Sequence, residues 1–123
     1  MKATEEMKNA LSTLGVSYEE YGGFLYDFTF DGEYCESEMD LVWCGLFGFS
    51  KTGILQDELD RFYNVLEIFK HDGSIVPHQQ IYAYLLNLWG YSDFAFSIYK
   101  QELTDKGKAL YTLLHYYYYD CDA

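Results

Sequence analysis

Apolar and polar positions alternate between residues 24 and 30. Phe24, Tyr26, Phe28 and Phe30 share one face of an extended chain, and Leu25, Asp27 and Thr29 share the other. A period of two predicts a half-buried strand. Asp31-Gly32 follows at once. That dipeptide supplies the two positive-φ positions of a type I′ turn, whose twist matches that of the flanking strands. A return strand is therefore expected over 33–37. Phe30 then faces Glu33, Thr29 faces Tyr34, Phe28 faces Cys35, Asp27 faces Glu36 and Leu25 faces Glu38. This register puts Asp27, Glu36 and Glu38 on one face, opposite the aromatic row.

Most of the remaining chain carries helical spacing. Thr4 is an N-cap candidate for a helix over 3–14, with Met7, Leu11 and Leu14 on one stripe and Gly15 just past its end. Val16 to Tyr18 adds a short strand before Gly22-Gly23. Leu41 to Phe49 is almost continuously apolar, so periodicity alone does not choose between strand and helix. Val42, Trp43 and the glycine spacing favour a central strand over 41–49. Leu55, Leu59, Phe62, Leu66 and Phe69 predict a helix over 54–71. Pro77 opens a second helix, 77–89, with Ile81, Tyr84, Leu85 and Leu88 as its buried face and Gly90 after it. Phe94, Phe96 and Ile98 alternate, which predicts a strand over 93–100. Thr104 caps a last helix, 105–119, with Leu110, Leu113, Leu114 and Tyr117 inward. The expected fold is one α+β domain over residues 1–123: a small, mostly antiparallel sheet (hairpin 24–37 plus strands near 41–49 and 93–100) packed with these helices.

Composition changes this picture through charge. Half of the 123 residues are apolar and a fifth aromatic, enough for a core and unlike a disordered acidic tail. Eight basic residues stand against twenty acidic ones, for a net charge of −12. Such a surface repels nucleic acid and anionic membrane, so neither is an expected partner; a basic protein or a cation is. Acid is concentrated in residues 19 to 40, which hold Glu19, Glu20, Asp27, Asp31, Glu33, Glu36, Glu38 and Asp40 and no Lys or Arg. Like charges facing each other across a ladder destabilise it by up to about 1 kcal/mol per pair. A row of same-face carboxylates repeats every ~6.6–6.8 Å and suits Lys and Arg on another surface. Fourteen tyrosines accompany the acid, and Tyr18, Tyr21, Tyr26 and Tyr34 fall within or beside that stretch. Tyr contributes area and a hydroxyl at little rotamer entropy, which makes Tyr26 and Tyr34 the expected anchors of an interface.

Three cysteines, Cys35, Cys44 and Cys121, form no CxxC pair and fit a reducing cytoplasm better than a disulfide scaffold. The first residues carry no secretion signature, and the longest apolar run is too short to cross a bilayer. His71, His78 and His115 lack metal-ligand spacing, and Asp31-Gly32-Glu33 does not fit an EF-hand loop. Neither a Gly-x-Ser-x-Gly elbow nor a Gly-rich phosphate loop occurs. Cys44 lies in the most apolar run, where a thiol is inert. Carboxylates are so numerous that any two can be posed as an acid–base pair, which selects none. The expectation is therefore no catalytic residue, no metal site and no cofactor.

The segment Tyr99-Lys100-Gln101-Glu102-Leu103-Thr104-Asp105-Lys106-Gly107-Lys108-Ala109-Leu110 resembles the strand-to-helix step after the wing of winged-helix repressors, where Leu-Thr-x-x-Gly caps the closing helix. The resemblance covers about a tenth of the chain and implies at most a degenerate fold of that kind. Between Gly90 and Phe94 there is no room for a recognition helix, and the charge is wrong for DNA.

These readings point to a non-enzymatic acidic inhibitor acting in the cytoplasm. It would occupy a basic, nucleic-acid-binding surface of a partner such as a nuclease, in the manner of DNA mimics and phage-encoded anti-defence or anti-CRISPR-like proteins. The expected contact residues are Glu19, Glu20, Asp27, Asp31, Glu33, Glu36, Glu38 and Asp40, with Tyr26 and Tyr34. Alternatives are an immunity protein or antitoxin blocking a basic nuclease toxin, a carboxylate-based cation-binding protein or enzyme, and a degenerate winged-helix interaction module.

Overall fold

The computed structural model describes residues 1–46, 58–94 and 97–119. The fold is α+β, with a three-stranded antiparallel sheet, a separate two-stranded one and helices around them. The chain divides into two compact units, Met1–Gln56 with Thr112–Ala123, and Asp57–Tyr111.

In the first unit, helix α1 (Glu5–Thr13) starts where Thr4 Oγ1 accepts the Met7 N–H at 3.1 Å and ends before Gly15, at φ +78°. Strands β1 (Val16–Tyr21), β2 (Phe24–Phe30) and β3 (Glu33–Cys35) form a meander in the order β1-β2-β3. Both of its turns are two-residue loops with positive φ at each position, Gly22-Gly23 and Asp31-Gly32. That is the type I′ signature, expected from Asp-Gly and equally open to Gly-Gly, where neither residue has a Cβ to oppose positive φ. The expected pairs Phe30–Glu33, Thr29–Tyr34 and Phe28–Cys35 all form. The expected pairs of Asp27 with Glu36 and of Leu25 with Glu38 do not, because β3 ends at Cys35 and a short helix begins.

That short helix corrects the sequence reading of 41–49 as a strand. Ser37 Oγ accepts the Asp40 N–H at 3.2 Å and its carbonyl accepts the Leu41 N–H, so a turn of helix, α2 (Glu38–Asp40), is nucleated there. Leu41–Leu46 continues it as a π-helix, with Leu41 and Val42 both fully buried. An N-cap upstream decided what the apolar run itself left open. Residues 47–49 lie outside the described residues.

In the second unit, helix α3 (Leu59–Lys70) buries Leu59, Phe62, Leu66 and Phe69 as expected. The expected start of this helix, at residues 54–57, lies outside the described residues. Pro77–Gln79 forms a 3-10 turn leading into helix α4 (Gln80–Leu88). Here the inward face differs from the expectation: Ala83 and Leu86 are buried, whereas Ile81, Tyr84 and Leu88 are exposed. The expected strand 93–100 is also corrected. Among the described residues there, a strand forms at Ser92–Asp93 (β4) alone, paired with Glu102–Leu103 (β5). Gln101 is buried and fixes the chain between them: its Oε1 accepts the Ser92 hydroxyl at 2.7 Å and its Nε2 donates to the Ile98 carbonyl at 2.8 Å. This holds 98–100 in a turn, which aromatic alternation does not reveal. Residues 95 and 96 lie outside the described residues.

Helix α5 (Asp105–Tyr119) matches its expected bounds and buries Leu110, Leu113 and Leu114. Thr104 caps it, accepting the Gly107 N–H at 3.0 Å and donating to the Gly90 carbonyl at 2.7 Å. Lys106, an unfavourable charge for a first helical turn, donates instead to the Trp89 carbonyl at 2.9 Å and lies over the Tyr91 ring. It thereby satisfies a carbonyl just past the end of α4.

Candidate protein-binding face

The meander does not keep its aromatic residues on one side. Val16–Phe30 and Ser17–Thr29 pair in one register, while Glu19–Tyr26, Glu20–Leu25 and Tyr21–Phe24 pair in another, one residue out of step. The irregularity is a β-bulge: Asp27 and Phe28 together stand opposite Tyr18. Asp27 takes the left-handed conformation, φ +55°, which Asp tolerates better than most residues. Because side chains alternate, one inserted residue exchanges the two faces beyond it.

Phe28 and Leu25 are consequently both buried, on the face beside α1, together with Val16 and Cys35. Phe24 and Tyr26 turn the other way. They join Tyr21 and Tyr34, giving four aromatic side chains between 39% and 77% exposed on the outer face of one small sheet. Period-two reading put Phe24 and Tyr26 on the side of Phe28. The clue to the bulge was Asp27 itself, a turn-former in the middle of a strand.

The expected contact residues separate into groups. Glu19 lies opposite Tyr26 on the outer face and is exposed. Tyr34 donates from its hydroxyl to Asp27 Oδ1 at 2.6 Å. This bond, with lesser contributions from burial and the charges of Asp27 and Glu36, holds the Tyr34 phenol above its ordinary pKa. Glu19, Asp27 and Glu36 thus accompany the exposed aromatic residues. Asp31 is exposed at the tip of the β2–β3 turn, and Asp40 is exposed at the end of α2. Three residues are not brought to this face. Glu20, on the side of α1, takes an ion pair from Lys8 Nζ at 3.0 Å, which raises the lysine pKa. Glu33 alternates toward the same side as Phe28, although exposed. Glu38 lies 3.0 Å from the Met1 amine.

Arg61, Asn64, His78, Gln79 and Tyr82 line an open cleft of about 250 Å³ in the second unit. Arg61 Nη1 lies 3.4 Å from the Tyr82 hydroxyl, and among the described residues that line the cleft there is no carboxylate to orient His78 as a base. Among the described residues, no group of three or more His, Cys, Asp or Glu side chains is placed to hold a metal ion, and no helix is long and apolar enough to cross a membrane. Comparison with family models, curated proteins and solved structures found no match to this chain.

Proposed function

We propose that this protein is a non-enzymatic binding protein that docks the outer face of the β1–β3 meander onto a basic protein surface. One observation carries the reading: four aromatic side chains stand exposed on the same sheet face as the carboxylates of Glu19 and Asp27. Solvated acid alone needs no aromatic residues, and an apolar patch alone needs no acid. Together they suit a surface of Lys and Arg, which Tyr and Phe rings attract through cation–π contact and carboxylates through charge. A cationic surface of that kind ordinarily binds a phosphate backbone, so the protein would inhibit a nuclease or other nucleic-acid-binding protein in the cytoplasm by occupying its site. Tyr26 and Tyr34 serve as anchors, with Tyr21 and Phe24 beside them. Glu19, Asp27 and Glu36 supply the complementary charge.

The test is affinity capture from a cell lysate with competing duplex DNA. The expected ligand is basic, elutes as salt is raised and is displaced by the DNA. Glu19→Lys combined with Tyr26→Ala should abolish capture while leaving the circular dichroism unchanged. Capture that survives this double variant, or that resists both salt and DNA, refutes the assignment.

A further inference from the structure

From Gly73 to Ser92 the chain has no Asp, Glu, Lys or Arg. Helix α4 lies inside this run and presents two opposite apolar faces. Ala83 and Leu86 are buried. Ile81, Tyr84 and Leu88, at positions i, i+3 and i+7, are between 52% and 62% exposed, and Leu85 lies half-buried beside them. An amphipathic helix on a protein surface ordinarily keeps polar residues at those positions. Charged residues are abundant elsewhere in this chain, so their absence here is specific to the segment.

We infer that the exposed stripe of α4 is a self-association surface that pairs with the same helix of a second copy. Charge decides the occupant. Two copies carrying −12 each repel one another wherever carboxylates face, which includes the sheet face described above. The α4 stripe is where they can approach without that penalty. A basic partner, by contrast, gains nothing from a helix face that carries no acid. The stripe is also self-complementary, as a two-fold axis requires. In an antiparallel pair Ile81 of one copy meets Leu88 of the other, with Tyr84 and Leu85 at the centre. Hydroxyls of the two Tyr84 side chains can remain at the wet rim. The stripe offers roughly 400 Å² a side, about half that of a standard interface, so the dimer is weak and concentration-dependent.

Salt separates this contact from the proposed partner binding. Screening removes the repulsion between copies, so raising salt strengthens self-association, whereas it weakens capture of a basic ligand. Sedimentation equilibrium of the full chain from about 10 to 500 µM spans the range expected of such an interface. The average mass should rise from 14.4 kDa toward twice that value, and rise at lower concentration when salt is added. Leu88→Glu, at an exposed position, should return the protein to monomer with its helical dichroism intact. Leu88→Ser, which removes apolar area without adding charge, should weaken the dimer several-fold. The Glu19→Lys, Tyr26→Ala variant should dimerise as the parent does. A monomer at all concentrations overturns the inference. So does a dimer that ignores both Leu88 substitutions, or one broken by the sheet-face variant.

Discussion

A Cβ placed on Gly107 would lie 1.8 Å from the Tyr91 carbonyl oxygen and 2.9 Å from its carbon. Both atoms are backbone, so nothing there can rotate aside. Gly107→Ala should destabilise the protein by about 2 kcal/mol or more, read as a lower denaturant midpoint. Thr104→Ala removes the cap and the bond to Gly90, and should lose about 1 kcal/mol in the same measurement. These two residues are the Thr and Gly of the Leu-Thr-x-x-Gly segment. Its spacing has a local cause: one residue caps the helix and the other lets its first turn touch the preceding chain. Tyr91 sets a limit on pH tolerance. Burial raises its phenol from 10.0 to about 12, so the folded protein holds this proton more tightly than the unfolded chain does. The associated stability is intact below about pH 10 and is lost as pH rises toward 12. Tyr63 shifts in the same direction, through burial first and its bond with Glu67 second. Alkaline titration should therefore show part of the phenolate absorbance appearing together with loss of helical dichroism, rather than before it.

Among the elements, those set by near neighbours in sequence were legible and those set by distant contacts were not. Asp31-Gly32 dictates its turn by backbone preference, and Thr104 dictates where α5 begins. Residues 41–46 carry no such signal of their own; the deciding cap is Ser37, in a segment that otherwise reads as strand. Helix α4 was recognised, but its inward face was not, because apolar residues surround it and the pattern alone does not say which stripe finds a partner. The candidate site was half legible. Its acids, Tyr26 and Tyr34 are marked by composition, whereas the outward face that Phe24 and Tyr26 take is set by the bulge at Asp27 and is not in the alternation. That bulge predicts a clear order of substitutions. Asp27→Val should destabilise by about 1–3 kcal/mol, since a β-branched residue is strained at φ +55°. Asp27→Gly keeps the conformation and should lose less, chiefly the Tyr34 bond. Thermal melts of the two variants check that order, and equal losses would mean the backbone conformation is not what matters.

At the scale of the whole molecule, acid governs which encounters succeed. With −12 spread over 123 residues, most surfaces of the protein repel copies of itself and nucleic acid alike. Under the proposed function the sheet face uses that charge to meet a cationic protein, whereas the proposed α4 contact uses a segment, 73–92, that carries no Asp, Glu, Lys or Arg. Opposite salt responses of the two contacts provide the prediction at this scale: salt added to a mixture of protein and ligand should release the ligand while the protein itself sediments faster. The bulge has a further implication for how such a surface arises. A chain lacking residue 27 would alternate strictly through β2, with Tyr26 and Phe24 already outward and Leu25 already inward, as they stand now. The bulge lets the strand absorb one extra codon while every aromatic side chain keeps its face, and the carboxylate so gained meets the Tyr34 hydroxyl.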